Sequence, residues 1–128
     1  MSNQCSESDL LRGPVALVLW YIPGALVLIG VFWREGRAWL WTPALAVAGT
    51  ACLVNASRCG RLHCYFTGPL WLLGAMATLL RAFSIVRVPW NWILYAVLGG
   101  GLLAFAPEWF RGRYVTCPSP DDLRRSSK

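Results

Sequence analysis

Residues 14–33 read "PVALVLWYIPGALVLIGVFW", twenty positions without a charged side chain. At 1.5 Å of rise per residue, a helix of about 20 residues matches the ~30 Å hydrocarbon core of a bilayer. Membrane barrel strands alternate apolar and polar residues, whereas this run is continuously apolar, so a helix is expected. Glu7 and Asp9 precede it beside Arg12, and "FWREGR" follows it in place of a small-residue cleavage site. It therefore does not read as a removable signal peptide.

Working outward, three more apolar blocks appear: "AWLWTPALAVAGTACLVN" (38–55), "YFTGPLWLLGAMATLL" (65–80) and "VPWNWILYAVLGGGLLAFAP" (88–107). The third block is short, and it gains length if the Arg81 side chain snorkels to the interface. The expected fold class is all-α, an integral membrane bundle of four transmembrane helices with spans at about 14–33, 38–56, 65–81 and 88–107. Together these make one membrane domain, 14–110, between an N-terminal arm (1–13) and a basic C-terminal tail (111–128). With 56% hydrophobic and only 14% charged residues, the chain has too little charge to cover the surface of a soluble domain.

Four spans place both termini on one side. Arg12, Arg58, Arg61, Arg111, Arg113, Arg124, Arg125 and Lys128 then share a face, against Arg34, Arg37, Arg81 and Arg87 on the other. Basic residues collect on the cytoplasmic side, so both termini and the middle loop are expected in the cytoplasm of an inner-membrane protein. The flanks of the first helix, one arginine before and two after, point the other way. The positive charge reads as a topology and lipid-headgroup signal, with the bilayer as the chief partner. No basic–aromatic pattern suggests nucleic acid.

Trp33, Trp39, Trp41, Trp90, Trp92 and Trp109 fall at span ends, the positions of an interfacial aromatic belt. Trp20 and Trp71 lie deeper and are expected between helices. Helices associate in lipid through small residues at four-residue spacing. Ala44, Ala48, Cys52 and Ala56 form such a stripe, as do Gly74 with Thr78, and Ala96, Gly100 and Ala104 in the fourth span. Pro23 and Pro43 are expected to bend their helices. No Asp, Glu, Lys or His sits within a span, which argues against an acidic proton relay.

Between the second and third blocks lies "NASRCGRLHCYFTGP" (55–69), holding two cysteines, two arginines and the only histidine. Gly60 suits a left-handed cap where the second helix stops. Pro69 suits the first turn of the third helix, with Gly68 or Thr67 as its cap. Cys52, Asn55 and Cys59 share one helical face, and His63 and Cys64 follow in the turn. Thiolates and imidazole favour soft or borderline cations, mercuric, cuprous or zinc. Cys59, Cys64 and His63 are the candidate ligands, with Cys52 as a fourth ligand or merely a packing residue. Arg58 and Arg61 would favour the thiolate form. The C-x4-C spacing is not that of a structural zinc site. Cys5 and Cys117 are accessory thiols at most.

The stretch R-C-G-R-L-H-C-Y-F-T-G-P, Arg58 to Pro69, resembles a loop of uncharacterised small bacterial integral membrane proteins. That likeness implies the layout and no established activity. A looser resemblance is to the small mercuric-ion transporters, which carry a cysteine pair in a cytoplasmic loop, similar in place to Cys59 and Cys64. Those transporters also carry a pair in the first helix, and residues 14–33 here contain no cysteine. The resemblance implies capture of a thiophilic metal ion for transport, sensing or detoxification. Two other readings stand beside it. One is a non-catalytic structural or accessory subunit, with a homo-oligomer or a membrane partner; the other is a thiol-redox membrane protein. No catalytic triad, phosphate loop or nucleotide fingerprint suggests a soluble-type enzyme.

Overall fold

The computed structural model describes residues 13–111, without the side chains of Cys59 and Arg111. The described chain is helical: α1 (Pro14–Phe32), α2 (Arg37–Cys59), α3 (Leu62–Ala82) and α4 (Trp90–Arg111). Three helical stretches, Pro14–Phe32, Arg37–Arg58 and Trp90–Phe110, are long and apolar enough to cross a membrane. At 21 residues α3 has the length as well. His63, Thr67 and Thr78 lower its hydropathy, and all three point into the protein.

Sequential helices pack as neighbours, with α2 and α3 in closest association and α1 and α4 on their flanks. The central position of α2 follows from its small face, where Ala44, Ala48, Cys52 and Ala56 are all buried. Gly49 on α2 meets Gly68 on α3, and each leaves room for the other's backbone. Near the opposite end Thr78 Oγ1 donates to the Ala75 carbonyl at 2.7 Å and stands 2.8 Å from Thr42 Oγ1. With its proton so engaged, Thr78 is the acceptor and Thr42 the donor across the α2–α3 interface.

The main apolar core joins Trp41 and Leu45 of α2, Ala75 of α3, and Ile93 and Val97 of α4. Trp41 corrects the belt assignment. It is 1% exposed, its Nε1 donates to the Val27 carbonyl at 2.9 Å, and its ring meets Trp90 edge-on. The indole satisfies its polar edge inside the protein and so loses the reason to seek the interface. Arg37 supports the same end, donating to the Gly30 and Val31 carbonyls at 2.7 and 2.8 Å and thereby capping α1. Arg37 and Arg81 both stand over the Trp90 ring, at 5.9 and 5.8 Å.

On α4, Ala96 is exposed rather than in the interface. The inward face runs through Ile93, Val97, Gly101 and Ala104, with Gly100 half-buried beside Leu70. Pro23 is accommodated by a π-helical turn at Leu17–Tyr21, where the Ile22 N–H reaches the Leu17 carbonyl. The wider turn relieves the clash of a proline ring with the preceding carbonyls.

Candidate functional site

The middle loop is far shorter than the sequence suggests. α2 continues to Cys59 and stops at Gly60, which takes the left-handed conformation (φ 61, ψ 30) and returns its N–H to the Ala56 carbonyl. Arg61 is extended, and α3 already begins at Leu62. His63 and Cys64 are therefore the first turn of a helix, not a flexible turn, and Pro69 lies inside α3 rather than at its start. The physical reason is the glycine cap: it reverses the chain in two residues, so α3 folds straight back along α2.

That reversal turns His63 and Cys64 inward. Cys64 is fully buried and His63 is 3% exposed. Cys64 Sγ lies 3.4 Å from His63 Nε2 and 3.8 Å from Asn55 Nδ2. The Cys52 and Cys64 side chains pack together with Ala56 in one buried cluster. Thr67 Oγ1 stands 2.9 Å from the His63 carbonyl and 3.3 Å from Cys52 Sγ. The interior pair is thus Cys52 with Cys64, on different helices. The Cys59 thiol, Cys5 and Cys117 lie outside what is described. Arg58 is exposed on the outer side of α2, and Arg61 points to α4.

Glu108 completes the cluster, and the sequence reading missed it. Its Oε1 is 2.6 Å from His63 Nδ1, 3.4 Å from the His63 backbone N–H, and 3.6 Å from Arg61 Nε. The carboxylate thereby caps the positive end of α3 as well as holding the imidazole. With Nδ1 donating to Glu108, a neutral ring offers Nε2 as acceptor to the Cys64 S–H. Phe105 stacks on the ring, with centroids 4.3 Å apart. A cavity of about 580 Å³ opens beside the pair, lined by Arg61, Glu108, Phe105 and Trp109 among others.

The signal for Glu108 was present but interrupted. Ala104 belongs to the small stripe of α4, and one more step of four residues reaches Glu108. The apolar run ends at Pro107, yet α4 passes through it to Arg111. A proline in a helix's last turn loses one hydrogen bond without stopping the chain when the neighbouring helix holds the far side.

Among the described residues, no group of three His, Cys, Asp or Glu is arranged to hold a metal ion. What is present is two buried thiols with an imidazole against one of them, and a carboxylate orienting that imidazole. Such a set supplies two soft donors and one borderline donor. No family model, curated protein or solved structure matches the chain.

Proposed function

We propose that the chain is a small four-span protein of the bacterial inner membrane that binds a soft cation at its interior Cys52–Cys64 pair, with His63 beside it, in transport, sensing or detoxification. The observation that carries this reading is the packing of two thiols from α2 and α3 in one buried cluster, with the His63 ring 3.4 Å from one of them. Two thiolates suit mercuric or cuprous ions. Zinc asks for four ligands in a tetrahedron, and among the described residues no such group is arranged. Glu108 takes the place of the carboxylate that commonly orients a ligating histidine.

The test is a titration of purified, reduced protein in detergent with mercuric and cuprous ions, followed by thiolate-to-metal absorbance. One ion per chain is expected, lost in Cys52→Ser and in Cys64→Ser and kept in Cys59→Ser. Equal binding by the Cys52→Ser/Cys64→Ser double variant sinks the reading.

A second reading is favoured by the complete burial of both thiols. In it the cluster is polar glue between helices, and the protein is an accessory subunit with a homo-oligomeric or other membrane partner. Both cysteines are then dispensable to any cation effect, and serine variants keep whatever complex survives mild detergent.

For orientation, the balance of basic residues supports cytoplasmic termini. Single-cysteine chains carrying only Cys5 or only Cys117 are expected to resist a membrane-impermeant maleimide in spheroplasts and to react after lysis. A Ser84→Cys chain, placed in the α3–α4 connection, reacts from outside. The reverse pattern refutes the assigned topology.

A further inference from the structure

The cavity of about 580 Å³ beside the His63–Glu108 pair lies outside the proposed cation site. It follows the last turns of α4, within a stretch long and apolar enough to cross a membrane. Arg61, Glu108 and Trp109 line one end of it, and Leu102 and Leu103 line the other, with Phe105 between. Along the helix axis the leucines stand roughly 8 Å deeper than Glu108. Leu102, Leu103 and Trp109 are exposed, so the cavity opens on the outer side of the bundle. Its walls thus pass from charged to aromatic to aliphatic, the order met on going from a bilayer's surface into its core.

Glu108 is the informative wall. Its side chain is only 10% exposed, and the three groups that meet it, His63 Nδ1, the His63 N–H and Arg61 Nε, all meet Oε1. Oε2 meets no donor among the described residues and is not shut off from solvent, so it opens on the cavity that Glu108 lines. A carboxylate oxygen in such a setting calls for a donor from outside the chain. Arg61 brings the opposite charge to the same end of the cavity. A guanidinium has five N–H donors in a fork, enough to serve a phosphate as well as a carboxylate.

A purely anionic headgroup would set its charge against Glu108, and a purely cationic one would set it against Arg61. A zwitterion that carries N–H donors satisfies both. The geometry points to a binding site for one phospholipid with a primary ammonium headgroup, phosphatidylethanolamine. Its ammonium donates to Glu108 Oε2, its phosphate accepts from Arg61, and the start of a chain lies along Leu102 and Leu103. Trp109 stands beside the headgroup, where an exposed indole is at home. The cavity equals roughly nineteen liquid waters in volume, room for a headgroup with its glycerol, while the tails stay in the bilayer. The site uses neither Cys52 nor Cys64 and does not rest on the cation reading.

The experiment uses the full chain, purified in detergent and stripped of lipid. Phosphatidylethanolamine, phosphatidylcholine and phosphatidylglycerol with identical chains are titrated in, and native mass spectrometry counts the lipid bound. One phosphatidylethanolamine per chain is expected, held about tenfold more tightly than phosphatidylcholine, the equivalent of one charge-assisted hydrogen bond. The trimethylated nitrogen of phosphatidylcholine keeps the charge and loses every N–H donor, so this comparison isolates the contact with Glu108. Phosphatidylglycerol lacks the ammonium and should bind no better than phosphatidylcholine. Glu108→Gln should lose most of the preference between the first two lipids. Ala106→Phe, which fills the cavity from its own wall, should weaken all three. Ala96→Phe, exposed on the same helix and outside the cavity, should change none. Equal binding of phosphatidylethanolamine and phosphatidylcholine by the parent chain, or tighter binding of phosphatidylglycerol, overturns the proposal without any variant having to fold. An unchanged preference in Glu108→Gln overturns it as well. The Cys52→Ser/Cys64→Ser chain should keep the lipid preference, so failure of this site is told from failure of cation binding.

Discussion

Replacing Glu108 with alanine is expected to destabilise the folded bundle by about 2–3 kcal/mol. Glu108 Oε1 serves three donors at once: His63 Nδ1 at 2.6 Å, the His63 N–H at 3.4 Å and Arg61 Nε at 3.6 Å. The side chains of His63 and Glu108 are only 4% and 10% exposed, so water is poorly placed to take over. Without the carboxylate, the imidazole N–H and the opening N–H of α3 lose their acceptor in an apolar setting. Glu108→Gln keeps an acceptor and loses the charge, so a smaller loss, about half, is expected. Reversible unfolding in mixed detergent micelles measures both. An alanine variant within about 0.5 kcal/mol of the parent would mean that Glu108 is a surface residue in solution and not part of the interior.

Gly49→Leu is expected to have at least as large an effect, about 3 kcal/mol or more, because the obstacle is backbone. A Cβ at Gly49 would stand 3.0 Å from the Gly68 carbonyl oxygen and 3.1 Å from the Leu72 nitrogen. A Cβ at Gly68 would in turn stand 3.3 Å from the Gly49 carbonyl oxygen. Side chains can change rotamer, but two helix backbones can only move apart. Cys52 is three residues beyond Gly49, and Cys64 is four before Gly68. Separation at this crossing therefore parts the two thiols as well. Gly99→Leu is the control, since nothing lies within 4 Å of a Cβ there. The Gly49 variant should lose both stability and the yield of a Cys52–Cys64 cross-link, whereas the Gly99 variant keeps both. Equal behaviour of the two variants would show that the α2–α3 crossing is looser than described.

Much of this arrangement could be read from residue pattern. Long uncharged runs located the apolar helices, because a bilayer-length segment leaves a mark no loop can hide. The Ala44, Ala48, Cys52 and Ala56 stripe identified the buried face of α2, since close helix approach admits only small side chains. Gly60 marked the end of α2, where a left-handed residue was needed.

What escaped the sequence involved tertiary rescue of a local rule. His63 looks like a loop residue because its polarity suits solvent; Glu108 is the particular group that makes its burial tolerable. Pro107 looked like a terminus, but α4 continues past it to deliver that carboxylate. Trp41 looked interfacial until the Val27 carbonyl accepted its N–H. The Cys59–Cys64 pairing was favoured by proximity in sequence. Helical geometry also sets Cys52 beside Cys64, a relation that depends on how two helices cross, while the Cys59 side chain lies outside the described residues.

The central claim is that Cys52 and Cys64 are the two thiols that take the ion. X-ray absorption at the mercury edge tests it most directly, on protein loaded with one mercuric ion per chain and carrying only these two cysteines. Two sulfur ligands in the first coordination sphere are the predicted result, unchanged when chains are diluted to monomers. Nitrogen- or oxygen-only coordination, or sulfur ligation that persists after both cysteines are replaced by serine, would contradict it.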